Sequence, residues 1–275
     1  MGIVGTKSLR GGLNMNCPLL LSLLLLIGCR AVNNDTAALK VVGGQPVVET
    51  DELVKHTVGL VWDSENNSTN GCSGVLVGPR WVLTAAHCFT AAGKVQGLKV
   101  TFGTRRESAP RQIIDAALFA RFERISIPTV DAADLARPED DIAIVKLYAE
   151  APRDAVSASI AGPDTNLNTG DMLVIAGFGS TQADAADAGI LRKATIPLTA
   201  VDQELSLLRF TEQARSPEFK GSCFGDSGGP AYLVKDDQLL VVGVASGGDY
   251  RCRERSIYTD VRNYKKWIMS FITES

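Results

Sequence analysis

"GSCFGDSGGP", residues 221–230, packs glycines around one serine, Ser227, with the acid Asp226 beside it and Cys223 four residues before. Glycine loses more backbone entropy on folding than any other residue, so this density means that the bare main chain is needed. A glycine-rich turn carrying an exposed serine would account for Gly225, Gly228 and Gly229, but it leaves Asp226 unexplained. A serine hydroxyl is a weak nucleophile at neutral pH and needs a base. The chain has two histidines, His56 and His87. His56 opens the strand pattern "HTVGLVW" and reads as a surface or edge residue. His87 sits in "WVLTAAHC" (81–88), next to Cys88. Two histidines are too few for a histidine-rich zinc site. No metal and no other cofactor is expected.

Around these segments the pattern is one of short strands. "GVLVG", "LKVTFG", "QIIDAALFA", "DIAIVKL", "MLVIAGFG", "LRKATIPL", "AYLV", "LLVVGVAS" and "SIYTDV" are separated by turn residues such as Gly78-Pro79 and Asp236-Asp237. Short β-rich runs between turns argue for an all-β barrel or sandwich rather than alternating α/β. Residues 200–209 read as a helical turn. In "RNYKKWIMSFIT" (262–273) Tyr264, Trp267, Ile268 and Phe271 recur at helical spacing, which predicts a C-terminal amphipathic helix. "DAADLARPEDD" (131–141) and "TQADAADAG" (181–189) read as exposed loops. The 275 residues suit one domain or two tightly joined halves. A net charge of −3 gives no sign of a nucleic-acid surface, which favours a basic patch.

The N-terminus is a separate piece. Lys7 and Arg10 precede an apolar run from Pro18 to Gly28. That run is too short to span a bilayer, which takes about 20 helical residues, and reads as an export signal over 1–28. Its end, Leu26-Ile27-Gly28-Cys29, resembles a bacterial lipobox, with Cys29 as the lipidation site; an ordinary signal peptide with a chance cysteine is the other reading. Residues 29–40 read as a tether or pro-segment. Beyond the leader, Cys72, Cys88, Cys223 and Cys252 remain. An even number after an export signal points to disulfides, but four cysteines allow three pairings and spacing does not choose.

Three segments then fall in order: "WVLTAAHC" (81–88), "DIAIVKL" (141–147) and "GDSGGP" (225–230). They resemble the catalytic segments of the chymotrypsin/trypsin-like serine proteases. "VVGG" (41–44), "AGFG" (176–179), "VASGG" (244–248) and "YTDV…W" (258–267) match as well, so the resemblance covers about 41–273. It implies two packed antiparallel β-barrels, about 41–152 and 153–262, followed by a helix over about 262–273. It implies Ser227 as nucleophile, His87 as base and Asp141 as the acid that orients the base. Asp141 is chosen over Asp140 because the family's acid directly precedes its apolar strand; Asp140 and Glu139 are then solvated charges. The N–H groups of Gly225 and Ser227 would form the oxyanion hole. The same resemblance pairs Cys72 with Cys88 and Cys223 with Cys252.

In such enzymes an acid beside the nucleophile is buried on activation and pairs with a new α-amino group. Here that acid is Asp226, and the matching cleavage is at Lys40-Val41, which calls for an activating basic-specific protease. The substrate pocket falls on Gly221, Ser222, Ser246, Gly247, Gly248 and Ser256. Trypsin-like enzymes carry an acid where Gly221 stands, and without it a desolvated lysine or arginine would lack a partner. The expectation is therefore cleavage after an uncharged, apolar, small to medium residue, with Gly247 and Gly248 leaving the entrance open and Ser256 narrowing the pocket. A preference for acidic residues, received by Arg251, Arg253 or Arg255, is the second expectation. A catalytically silent binding relative is a third. Partners are expected to be protein or peptide substrates and, through Cys29, a lipid surface, with the chain itself monomeric.

Overall fold

Two β systems divide the chain, and the histidine and serine segments belong to different ones. The computed structural model describes residues 41–63, 68–90, 95–122, 140–211 and 220–273. Residues 1–40, including Cys29 and Lys40, and most of the 131–141 loop with Glu139 lie outside the described residues.

A short strand, β1 (Gln45–Pro46), is followed by a single helical turn, α1 (Leu53–His56). Then come β2 (Thr57–Asp63), β3 (Thr69–Gly78) and β4 (Trp81–Thr84). A second turn, α2 (His87–Thr90), leads to β5 (Gln96–Phe102), β6 (Gln112–Arg121) and β7 (Ala143–Leu147). These six strands close into a barrel in the order β2-β3-β4-β7-β6-β5. Closure leaves no strand edge unpaired. Val58, Leu60, Val75, Leu83, Val100, Phe102 and Ile144 are fully buried in one cluster.

The second system contains β8 (Ser159–Ile160), β9 (Met172–Gly177), β10 (Arg192–Pro197), β11 (Ala200–Asp202) and β12 (Leu207–Thr211). It continues with β13 (Pro230–Lys235), β14 (Gln238–Gly248) and β15 (Arg255–Asp260). Among the described residues it is a nine-stranded sheet, ordered β1-β10-β9-β13-β14-β15-β12-β11, with β8 added in parallel to β14. The fold class is all-β: a closed barrel, a second largely antiparallel sheet and few helices.

The two systems share one apolar seam. Phe178, Leu191, Tyr232 and Val244 from the second half join the barrel cluster. The hydroxyls of Thr57 and Tyr232, both fully buried, meet at 3.1 Å. At the C-terminus, Asp260 accepts the Arg262 N–H and caps a 3₁₀ turn, Val261–Tyr264. Helix α3 (Lys265–Thr273) follows. It lies on the first barrel: Phe271 packs on Trp81 with ring centroids 5.6 Å apart, Trp267 on Phe122 at 5.4 Å, and Ile268 is fully buried.

Three expectations change. The first barrel begins at Thr57, not at residue 41, because β1 pairs with β10 and Val41 is buried in the second half's core. Residues 200–209 are not a helical turn but the β11–β12 hairpin, drawn into the sheet by Leu207, Leu208 and Phe210, which are buried against β15. His56 is not a surface residue: it is only 9% exposed, with Nδ1 2.6 Å from the Val156 carbonyl, and burial holds its pKa below the ordinary histidine value.

Candidate active site

Strand pairing brings His87 to Asp141. β4 and β7 run antiparallel with Thr84 opposite Ala143. His87, three residues beyond Thr84, therefore meets the residues just before Ala143. The Asp141 carboxylate accepts twice from His87: from its backbone N–H at 2.7 Å and from ring Nδ1 at 2.6 Å. A carboxylate only accepts, so the ring proton sits on Nδ1 and Nε2 carries the lone pair. Asp141 is 5% exposed, while the His87 side chain is 36% exposed. Burial alone would lower the His87 pKa, but the charge and hydrogen bond of Asp141 together raise it above the ordinary value.

Two further groups hold Asp141. The Ser246 hydroxyl donates to the same carboxylate at 2.5 Å, and the Thr259 hydroxyl donates to the Asp141 backbone carbonyl at 3.0 Å. Ser246 was expected in the substrate pocket, but its buried side chain turns to the acid. Asp140 is not simply solvated: it accepts from the Tyr264 hydroxyl at 2.5 Å.

Ser227 reaches this place by its main chain. Its carbonyl accepts the Ser73 N–H at 2.8 Å and lies 3.9 Å from the Cys88 sulfur, one residue from His87. That sulfur is bound to Cys72, so the contact is van der Waals. Gly228, with φ +81°, presses so close that a Cβ there would sit 2.0 Å from the Thr84 hydroxyl oxygen and 2.3 Å from the Ser73 carbonyl oxygen. Ser73 is the clamp that sequence reasoning missed. Its hydroxyl donates to the Gly225 carbonyl at 2.8 Å and accepts the Phe178 N–H at 2.9 Å. Only its place beside a disulfide cysteine marks it in the sequence.

Gly225 adopts φ +95°, which a side chain disfavours. Among the described residues the N–H groups of Gly225 and Ser227 have no hydrogen-bond acceptor, and the Ser227 hydroxyl has no partner. Bonds between nucleophile and base are often long before substrate arrives.

Asp226 points away from solvent. Its carboxylate accepts the N–H of Gly179 at 2.7 Å and of Cys223 at 2.9 Å. Burial pushes its pKa up to about 6, against the pull of these two hydrogen bonds and of Arg192 and Arg106. Val41 is 1% exposed, and its neighbour Val42 bridges to Gly221, whose N–H donates to the Val42 carbonyl at 3.1 Å.

The pocket residues collect on two tied segments. Disulfides join Cys72 to Cys88 and Cys223 to Cys252, as the resemblance implied. The Ser256 hydroxyl, fully buried, accepts the Ser222 N–H at 2.8 Å. Ser222 in turn bonds the buried Tyr258 hydroxyl. Open space surrounds Gly247, whereas Gly248 is close against the Arg255 carbonyl, so only the first leaves room. The exposed arginines 251, 253 and 255 sit on a loop that Asp249 folds. Its carboxylate accepts from the N–H groups of Arg251, Arg253, Glu254 and Arg255 at 2.8–3.1 Å. Burial would raise its pKa, but these bonds hold it below the ordinary carboxylate value. Among the described residues, no group of three or more His, Cys, Asp or Glu side chains is placed to hold a metal ion.

Comparison with known proteins agrees with this layout. The family model described as Trypsin matches residues 41–268. The chain is 32% identical over 216 residues to Trypsin 5G1 of Aedes aegypti, covering 73% of this chain and 75% of that protein. It is 29% identical over 252 residues to Serine protease 1 of Homo sapiens, covering 85% and 90%. It is 28% identical over 264 residues to Trypsin-1 of Salmo salar, covering 90% and 95%. A match across most of the length, on a two-part β fold that sets a histidine–aspartate pair beside a glycine-flanked serine, identifies the chain as a member of the trypsin family.

Proposed function

We propose that the protein is a serine endopeptidase in which Ser227, His87 and Asp141 do the chemistry. The observation that carries this reading is the doubly bonded, buried Asp141 fixing the His87 tautomer one residue from the sulfur that touches the Ser227 carbonyl. Ser227 Oγ attacks the substrate carbonyl while His87 Nε2 takes its proton. The negative oxygen is met by the two N–H groups of Gly225 and Ser227 that lack acceptors among the described residues. His87 then gives the proton to the leaving amine, and an ester to Ser227 remains. Water, deprotonated by the same Nε2, attacks that ester and frees the acid.

The pocket supports an uncharged residue before the scissile bond. Its floor carries Gly221 in place of an acid, and the buried Ser256 stands behind Ser222. Activation is proposed to follow cleavage at Lys40-Val41 by a basic-specific protease. The burial of Val41 and the bridge from Val42 to Gly221, five residues before Asp226, support that site. With an uncharged preference, the enzyme would not activate itself efficiently. Export of a monomer, with Cys29 lipidated, completes the proposal; mass spectrometry of the N-terminal peptide tests that modification.

Labelling with a serine-reactive phosphonate, followed by peptide-library profiling, tests the reading. The chain cleaved after Lys40 should be labelled at Ser227, the Ser227→Ala variant should not, and small to medium apolar residues should be preferred at the cut. An unlabelled cleaved chain favours the silent binding relative. Strong preference for lysine or arginine rejects the pocket reading, and an acidic preference turns attention to Arg251, Arg253 and Arg255.

A further inference from the structure

Asp226 is a buried acid, and among the described residues no lysine or arginine lies within ion-pair distance of it. Two guanidinium groups nevertheless approach it, one from each half. Arg192, on β10, is 1% exposed and is the largest fully buried side chain among the described residues. Its Nη1 donates to the Gly179 carbonyl at 2.9 Å, while the Gly179 N–H donates to Asp226 Oδ1 at 2.7 Å. A single residue thus links the arginine to the acid. Nη2 donates to the Asp187 carbonyl at 3.0 Å and lies 3.4 Å from the Asp187 carboxylate; Nε is buried without a partner. Arg106, beyond β5 and 5% exposed, donates from Nη1 to the Cys72 carbonyl at 3.4 Å and from Nε to Glu107 at 2.5 Å. That Nη1 is also 3.5 Å from where a Cβ on Gly225 would stand.

A charge buried this deeply is costly unless it is compensated. Where only packing is needed, an apolar side chain of similar volume serves as well. Arg192 instead bonds, besides Asp187, the carbonyl of Gly179, one of the two residues whose N–H groups hold Asp226. In this arrangement Gly225 and Ser227 already present N–H groups without acceptors, and Val41 is still joined to residue 40. Both arginines pull the Asp226 pKa down, though burial outweighs them.

We propose that Arg192 is a positioning residue that compensates Asp226 across the Gly179 peptide, so that the uncleaved chain already forms its oxyanion loop and hydrolyses peptide bonds. This rests on the serine endopeptidase reading. Cleavage at Lys40-Val41 then raises activity rather than creating it, because the freed α-amino group adds a second counter-charge.

The test uses the full chain with Lys40→Gln, which blocks cleavage, beside the chain cleaved after Lys40. Both are titrated with phosphonate and assayed on the best library peptide. The uncleaved chain is expected to be labelled, with kcat/KM within about 100-fold of the cleaved enzyme, less than the loss from an empty oxyanion hole. Arg192→Met in the uncleaved chain should lower kcat by roughly 100-fold, the scale of one lost oxyanion donor, with little change in KM. The same substitution in the cleaved chain should cost about 3-fold or less, because the amine compensates the acid there. Arg192→Lys should restore most of the loss. An uncleaved chain that is never labelled overturns the inference, whatever the variants do. Equal losses from Arg192→Met in both forms, without rescue by lysine, also overturn it and leave Arg192 a packing residue. Failure to label the cleaved wild-type chain instead rejects the endopeptidase reading itself.

Discussion

At the residue scale the pair His87–Asp141 sets the pH response. A base must be unprotonated to work, so activity falls as pH drops through the His87 pKa. Asp141 raises that pKa. The acid limb of kcat/KM for the cleaved enzyme should therefore lie above the unperturbed histidine value of about 6.5. Asp141→Asn should move the limb down and reduce kcat by about 10⁴-fold, the known scale for losing the acid of such a triad. Ser246→Ala removes one bond to the same carboxylate. It should cost roughly 10-fold in kcat with KM little changed, since a hydrogen bond to a charged group is worth about 1.5–3 kcal/mol. Steady-state kinetics over pH checks all three. The triad candidates were legible because glycine, acid and cysteine surround them in order. Ser246 was read as a pocket residue because a sequence shows which residues line a strand, not which way each hydroxyl turns.

Elements explain why the site stays assembled. Ser73, at the middle of β3, bonds residue 225 through its hydroxyl and residue 227 through its N–H, and it receives residue 178. Ser73→Ala leaves two buried groups without partners and should destabilise the chain by about 1–3 kcal/mol, measured by urea unfolding. Gly228→Ala places a methyl against Thr84 and Ser73 at a left-handed φ. It should cost roughly 3 kcal/mol or more, from overpacking and backbone strain together. Thermal unfolding reads that loss directly. Most strands were legible within a residue or two, because β-branched runs between turns fix them. β1 and β8 were not, since two residues carry no pattern. β11 and β12 were not either, because their burial comes from β15, a partner distant in sequence.

For the whole molecule, the buried Asp226 couples stability to pH. Its folded pKa of about 6 lies above that of a free carboxyl, about 3.9. Such a group contributes stability that is complete below the unfolded pKa and lost as pH rises through the folded one. The uncleaved chain should therefore lose stability between about pH 4 and pH 6 through this group. Cleavage after Lys40 should recover part of it at neutral pH, seen as a higher Tm. The two-part architecture was legible from the family resemblance. The crossing of β1 into the second sheet was not, because it depends on Val41 finding the second core. Helix α3 has a different consequence. It follows both halves in the sequence, yet its Phe271 covers Trp81 on the first barrel. During synthesis, then, the barrel that carries His87 and Asp141 is made before the helix that covers it. A chain stopped after Asp260 should therefore show the red-shifted emission of an uncovered indole.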